Sequence, residues 1–285
     1  MLTVDESPHL LSKNLLAVLA TFPDGAVVAF SGGVDSAVVA AGAFQVWQHR
    51  AVAVTADSAS VPRNDIQIAK DIAQQIGIRH IIVGTNEFEN ENYLINDGSR
   101  CFHCKTELYS QIQEIAPQLG ISTICSGANQ DDLGDYRPGL LAAQNFAVRH
   151  PLQEAGLGKQ AVRAIAKLWQ LPIWDRPASP CLSSRIVPGL AVTPARTQMI
   201  ELAEQWLREK EIPDCRVRLH HDELARVEIP VEFLPIVLEA DFREKFLIFC
   251  QNLGFRFVTF DLAGLRSGSM NELISLDVKN RYQLH

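Results

Sequence analysis

Long apolar runs are missing from this chain. The longest pure apolar run near the start, Leu15–Ala20, falls far short of the ~20 residues that a membrane-spanning helix needs. Basic residues are absent from the first ten positions, MLTVDESPHL, which carry two acids and lack the basic n-region of a secretory signal. The expectation is therefore a cytoplasmic protein. Positive charge is in deficit overall as well. With 26 Lys and Arg against 33 Asp and Glu, the net charge of −7 speaks against broad electrostatic binding to nucleic acid or an anionic membrane. Cysteine is sparse: six in 285 residues do not make a disulfide framework, so any that cluster point to metal or redox chemistry. There is no internal repeat and no low-complexity tract. What is present is ordinary for a globular chain, 47% apolar and 21% charged residues, and the length corresponds to roughly two domains.

The first 170 residues alternate β-branched runs with helical periodicity. AVVAF (26–30), AVAVT (51–55), 79–83 and 122–126 read as strands, and 36–48, 64–77, 105–119 and 158–170 as helices. Strands apolar on both faces and separated by helices predict a parallel sheet covered on both sides. Such sheets bind ligands beyond the carboxyl ends of their strands, which directs attention to the loops after Phe30, Thr55, Val83 and Ser126. Residues 171–192, with four prolines between 171 and 189, read as a linker carrying Cys181. Beyond it, a helix at 194–210, alternating strands at 216–221 and 225–229, a helical stretch at 231–253 interrupted near Pro235 and a strand at 255–260 describe a smaller α+β domain. The expected class is α/β: a nucleotide-binding parallel-sheet domain (1–170), the linker, and a small substrate or oligomerisation domain (193–285).

The strongest local signal is AFSGGVDS (29–36). A buried strand ends at Phe30, Gly32 and Gly33 let backbone approach a ligand, and a helix begins near Ser36, whose hydroxyl joins that of Ser31. Free amides at a positive helix end suit a phosphate. The ending is not Gly-Lys-Ser/Thr, so this is no Walker A loop. The pattern resembles the PP-loop of ATP pyrophosphatases, which transfer AMP to a carbonyl or carboxylate oxygen, and the resemblance implies ATP as substrate with Asp35 helping to hold Mg²⁺. SGANQDD (126–132) follows another strand and would face the same crevice. Its Gly127, Asn129, Asp131 and Asp132 offer a close backbone approach and oxygen ligands for nucleotide or Mg²⁺. ADSASVPR (56–63) is where adenine and ribose are expected, with Ser58, Ser60 and Arg63 chosen by position.

Cys101 and Cys104 form CFHC just before a helix expected to begin near Lys105, and Cys181 lies in the Pro-rich linker. A helix N-terminus favours the reactive thiolate. Three such cysteines can ligate an Fe–S cluster with one iron left open, because clusters ordinarily take four thiolates. A zinc site with His103 as fourth ligand is the competing reading. Cys125, Cys215 and Cys250 fall in apolar runs and read as packing residues. Arg216 and Arg218, two apart on an expected strand, share one face and make a fork for phosphate or carboxylate; Arg185, Arg266 and Lys105 could join them.

Taken together, SGGVDS, DDLGDYRPGL (131–140), the SSR segment before a PG turn (183–189), VRxH with ARxE (217–228) and GFRxVTxDLxGxRSGxMN (254–271) resemble the ATP-dependent sulfur transferases of nickel-pincer cofactor biosynthesis (LarE type) over nearly the whole chain. The resemblance implies adenylation of the carboxylates of pyridinium-3,5-biscarboxylic acid mononucleotide and displacement of AMP by sulfur. It also implies a homo-oligomer and other enzymes of that pathway as partners. It places Ser184, Arg185, Glu204, Arg216 and Arg218 at the substrate. A metal-binding aspartate of some relatives has no counterpart in the apolar stretch Leu234–Ile236. Relatives divide over the sulfur source: some sacrifice one linker cysteine, others carry three cysteines that resemble cluster ligands. Here alignment on SSR puts Pro180, not Cys181, at the sacrificial position, which together with CFHC favours a [4Fe–4S] cluster on Cys101, Cys104 and Cys181. A tRNA-thiolating enzyme, an ammonia-using ligase that shares SGGxDS, and a non-catalytic ATP-binding regulator are the other classes compatible with the loop. The acidic balance and single CxxC disfavour the first, and clustered cysteines are unnecessary for the second.

Overall fold

The computed structural model describes residues 7–133, 138–266 and 270. In chain order the elements are α1 (Pro8–Ala20), β1 (Ala26–Ala29), α2 (Val34–Trp47), β2 (Ala51–Asp57), α3 (Arg63–Ile76), β3 (Arg79–Gly84), α4 (Glu91–Leu94), α5 (Arg100–Ile115), β4 (Ile124–Ser126), α6 (Pro138–Asn145), α7 (Pro151–Glu154), α8 (Lys159–Leu168), α9 (Pro194–Glu209), β5 (Arg216–His220), β6 (Leu224–Glu228), α10 (Leu234–Val237), α11 (Ala240–Leu253) and β7 (Phe257–Phe260). They divide into two units. Among the described residues, one contains 7–87 together with Cys101–Ser179, and the other contains Phe88–Arg100 and 180–266.

The first unit is the parallel sheet that the apolar runs predict. Its strand order is β3-β2-β1-β4, and each adjacent pair runs parallel. Alternation along β1 explains why it is apolar throughout. Ala26, Val28 and Phe30 enter a core with Leu15, Leu19, Val38, Ile72, Val162 and Ile165, whereas Val27 and Ala29 enter a second core with Leu108, Tyr109, Ile112 and Val148. Helices therefore cover both faces, and burial of these side chains is the main stabilising force. The order reverses direction beside β1, since β2 lies on one side of it and β4 on the other. This is the switch point at which open parallel sheets bind ligands.

The second unit is the smaller α+β body, a three-stranded sheet in the order β5-β6-β7. β5 and β6 are antiparallel, and β7 joins β6 in parallel. Helices α9 and α11 meet through an aromatic cluster in which Trp206 lies 5.0–6.0 Å, centroid to centroid, from Phe242, Phe246 and Phe249. The fold class expected from the sequence is thus borne out. Within DDLGDYRPGL, residues 134–137 lie outside the described residues, as do 267–269 and 271 of the C-terminal motif.

Candidate active site

At the end of β1 the chain must turn sharply into α2, and the sequence supplies two glycines for it. Gly32 has φ +72°, and a Cβ there would come within 2.9 Å of the Ala69 Cα on α3. Only glycine meets both demands. Ser36 fastens the turn: its hydroxyl donates to the Gly33 carbonyl at 3.0 Å and accepts the Ser31 amide at 3.2 Å. The Ser31 hydroxyl lies 3.2 Å from it and accepts the Gly33 amide at 3.3 Å. Gly33 caps α2 with no side-chain acceptor for the helix amides. The positive helix end and its donors are thus left for an anionic group.

The loop after β4 closes on the same place. At Gly127 a Cβ would fall 2.6 Å from the Ser36 nitrogen, so a side chain there would push the two loops apart. Asn129 donates its amide to Asp35 Oδ1 at 3.1 Å, and Asp132 folds back to accept the Asn129 backbone amide at 3.1 Å. Burial lifts the Asp35 carboxyl above the ordinary aspartate range; the Asn129 hydrogen bond opposes that shift, and the Asp132 charge adds to it. A carboxylate that resists ionising beside a second acid is stabilised by a divalent cation, and oxygen donors of this kind suit Mg²⁺. Residues 150–159 brace the loop. His150 Nδ1 lies 2.9 Å from the Ser126 hydroxyl, Gln153 donates to the Asn129 carbonyl at 3.1 Å, and Asp131 accepts the Lys159 amide at 2.6 Å. Burial depresses the pKa of His150, which favours its neutral form.

After β2, Ser58 and Ser60 both donate to Oε1 of Glu87, at 2.5 and 2.9 Å. Arg63 pairs with Asp57 at 2.5 Å and donates to the carbonyls of Ser58 and Val61 at 2.5 and 2.8 Å. Glu87 is 2% exposed, and its Oε2 has no hydrogen-bond partner among the described residues. Sequence reasoning missed it, because one acid in EFENEN looks like any other. Its place just past β3 is the signal that could have found it. Replacing Glu87 with alanine releases both serines, and the expected result is a KM for ATP raised about ten-fold, read from pyrophosphate release. Glu87→Gln, which keeps the acceptor, should recover most of the loss.

Helix α5 begins at Arg100, earlier than the start expected near Lys105, because nothing in RCFHC resists helix. Cys101 therefore sits in its first turn and Cys104 at the start of its second, rather than ahead of it. One turn apart, they share a face; Cys101 is exposed and Cys104 half-buried. Cys125, Cys215 and Cys250 are fully buried, and burial pushes each thiol up to about 12, as packing residues should behave. Among the described residues, no three His, Cys, Asp or Glu side chains are gathered as a metal-ligand group. Lys105, in α5, has its ammonium 6.0 Å from the centre of the Tyr109 ring.

In the second unit, half-buried Cys181 precedes a short turn, Leu182–Arg185. Arg185 is 1% exposed and donates to the Pro180 carbonyl, to the Cys181 carbonyl at 2.8 Å and to Glu204 at 3.0 Å. The Ser184 hydroxyl donates to the same Cys181 carbonyl at 2.6 Å. Glu204 also accepts the Val217 amide at 3.1 Å. Burial opposes its charge, but Arg185 outweighs burial and holds the carboxyl below the ordinary glutamate range. Arg218 pairs with fully buried Glu228 at 2.8 Å. Arg216 lies two residues before Arg218 on β5 and so shares its strand face, and burial, then the Arg185 charge, depresses its pKa. The Arg185 and Arg218 charges both disfavour that of Arg216, while buried Glu204 and Glu228 pair with Arg185 and Arg218. Arg266 lies 3.5 Å from Asp261. No helix among the described residues is long and apolar enough to cross a membrane.

Comparison with known proteins adds three findings. A family model described as NAD synthase matches residues 12–93, the stretch that contains the Ser31–Ser36 turn. An uncharacterized protein of Synechocystis sp. is 43% identical over 253 residues, 88% of this chain and 94% of that protein. Pyridinium-3,5-bisthiocarboxylic acid mononucleotide synthase of Lactiplantibacillus plantarum is 34% identical over 251 residues, 87% of this chain and 89% of that protein.

Proposed function

The chain belongs to the family of pyridinium-3,5-bisthiocarboxylic acid mononucleotide synthase, ATP-using sulfurtransferases built on a PP-loop domain, and from that premise we propose that it converts the carboxylates of pyridinium-3,5-biscarboxylic acid mononucleotide to thiocarboxylates for the nickel-pincer cofactor. The observation that carries this reading is the meeting of Asp35, Asn129 and Asp132 over the uncapped start of α2.

In this reading the turn Ser31, Gly32, Gly33 and Ser36 binds the polyphosphate through backbone amides and hydroxyls. Asp35 and Asp132 hold Mg²⁺, while Gly127 lets Asn129 approach. Loop 58–63, with Ser58, carries the nucleoside. A substrate carboxylate oxygen attacks the α-phosphorus, forming an acyl-adenylate and releasing pyrophosphate. Carboxylate oxygen is a poor leaving group, and its attachment to AMP removes that obstacle. A sulfur nucleophile then forms the C–S bond as the C–O bond to AMP breaks, and AMP departs with the electron pair. The same steps repeat on the second carboxylate.

We assign sulfur delivery to Cys101, Cys104 and Cys181. Two exposed or half-buried thiols one helical turn apart fit two ligand positions of an Fe–S cluster, and Cys181 would provide the third. When bound, a [4Fe–4S] cluster on three thiolates supplies an iron with an open position for an exogenous sulfide. The protein's own part is to present the thiolates, hold the adenylate and exclude water. Arg216 and Arg218 take the substrate phosphate, with Ser184, Arg185 and Glu204 ordering that face. Arg216→Ala is expected to raise the KM for the substrate roughly ten- to a hundred-fold, measured at saturating ATP, since a charge-assisted contact is worth ~1.5–3 kcal/mol.

Self-association and work alongside other enzymes of the pathway belong to the same reading. Ile236, Leu238 and Ile248 in the second unit are exposed apolar side chains of the kind a homo-oligomer covers. The direct test is anaerobic incubation with ATP, Mg²⁺, sulfide and the biscarboxylate. Release of pyrophosphate with exchange of sulfur for oxygen in the product, seen by mass spectrometry, supports the assignment. Pyrophosphate release that depends on ammonia instead would favour the ligase class.

A further inference from the structure

Helix α3 holds two features of the first unit at once. Ala69 packs against the turn at Gly32, as described above. One turn earlier on the same helix, Asp65 commits both carboxylate oxygens: Oδ1 accepts Arg176 Nη2 at 2.6 Å, and Oδ2 accepts the Ser179 hydroxyl at 2.7 Å. Residues four apart share a helix face, so the phosphate-binding turn and the segment around 176–179 are referenced to one rigid element. Asp65 is only 8% exposed, which makes these charge-assisted bonds strong. Arg163 of α8 grips the same segment, donating to the carbonyls of Trp174 and Arg176 at 2.8 Å each.

Ser179 ends the Cys101–Ser179 stretch of the first unit, and Cys181 follows two positions later. Pro180 and Cys181 are in turn held through their carbonyls by buried Arg185. Neighbouring residues of the linker are therefore each fastened by a buried, ion-paired side chain. A surface loop with no role has no need of such fixing, and ordinary connecting segments are the mobile part of a fold.

We propose that Asp65 is a positioning residue for sulfur delivery. Through Arg176 and Ser179 it ties residues 176–179, the stretch of the first unit that runs up to Cys181, to the helix that packs on the Gly32 turn, and so limits the freedom of the chain that carries the thiol. The inference rests on the sulfurtransferase reading. Asp65 itself touches neither substrate nor reacting atoms. When positioning fails, water takes the place of sulfide at the acyl carbon. The C–O bond to AMP still breaks and AMP still leaves, but the carboxylate is regenerated and the water protons go to solvent. ATP is then consumed without product.

The test compares wild type with Asp65→Ala, Asp65→Asn and Ser179→Ala under anaerobic conditions, using ATP, Mg²⁺, sodium sulfide and the biscarboxylate. Both pyrophosphate and thiocarboxylate are counted. In Asp65→Ala, pyrophosphate release should stay within about two-fold of wild type while thiocarboxylate per pyrophosphate falls roughly ten-fold. Asp65→Asn, which keeps one acceptor oxygen, should recover part of the ratio. Ser179→Ala should reproduce part of the loss. Amide exchange in residues 174–181 should quicken in Asp65→Ala. An unchanged ratio in all variants of an active wild type, or an equal fall in both products, overturns the role of Asp65 alone. A wild type that releases pyrophosphate and never transfers sulfur overturns the underlying reading as well.

Discussion

Asp35→Asn is expected to slow pyrophosphate release roughly 10²–10³-fold and, in the absence of metal, to raise the protein's resistance to unfolding at neutral pH. The two effects share one cause. Burial, joined by the Asp132 charge, lifts the Asp35 carboxyl above its unfolded value, so ionising it costs the folded state stability. That cost is absent below the unfolded range near ~3.9 and fully present once pH has risen through the folded value. Stability therefore falls with rising pH on account of this group, and the asparagine variant escapes the fall. Its amide oxygen can still accept from Asn129, which leaves the loop contact in place. What is lost is the negative charge that would balance Mg²⁺ against the polyphosphate. Loss of such preorganised electrostatics is typically worth roughly 10²–10³ in rate. Thermal unfolding of both proteins at pH 4 and pH 7.5, with and without Mg²⁺, should show the variant's advantage only at the higher pH without metal. A variant less stable than wild type at neutral pH would contradict the strain assigned to Asp35.

Cys181→Ala should divide the reaction at its midpoint. In the proposed reading ATP cleavage is the work of the turn at Ser31–Ser36 and the loop at 127–132, whose hydrogen bonds do not involve Cys181, so pyrophosphate release is expected to persist near the wild-type rate. Thiocarboxylate should fall to background. The loop itself should survive the change, because its fastenings run through backbone: Arg185 and Ser184 both donate to the residue 181 carbonyl, which alanine retains. A variant that still thiolates the substrate at the wild-type rate would remove Cys181 from sulfur delivery. A variant that loses both activities would mean the residue serves the fold.

Much of this was legible in the sequence, for reasons that are local. AVVAF announces a strand buried on both faces, and Ala26/Val28 and Val27/Ala29 do divide between two cores. SGGVDS announces an anion-binding turn, since glycine, hydroxyl and helix start are all encoded within six neighbouring residues. Family membership was legible too, from motifs spread over the chain. Other features depend on contacts that sequence order hides. Asp65 looks like any acid in the first turn of a helix, where the helix dipole favours it. Its partners Arg176 and Ser179 lie 111 and 114 residues away. Glu87 gathers Ser58 and Ser60 across 29 and 27 residues, and Arg185 finds Glu204 across 19. The start of α5 at Arg100 is hidden for a different reason: RCFHC has no glycine or proline to stop a helix, but also no apolar period that marks its start.

The assignment of Cys101, Cys104 and Cys181 to a sulfur-carrying cluster is the centre of the account, and iron with acid-labile sulfide, counted in anaerobically purified protein alongside its intact mass before and after turnover, tests it most directly. The account predicts bound iron and sulfide, lost on Cys104→Ala, and a chain mass that turnover leaves unchanged. Iron-free protein that becomes lighter by one H₂S per chain, with the loss mapped to Cys181, would contradict it and identify that cysteine as the sacrificed donor.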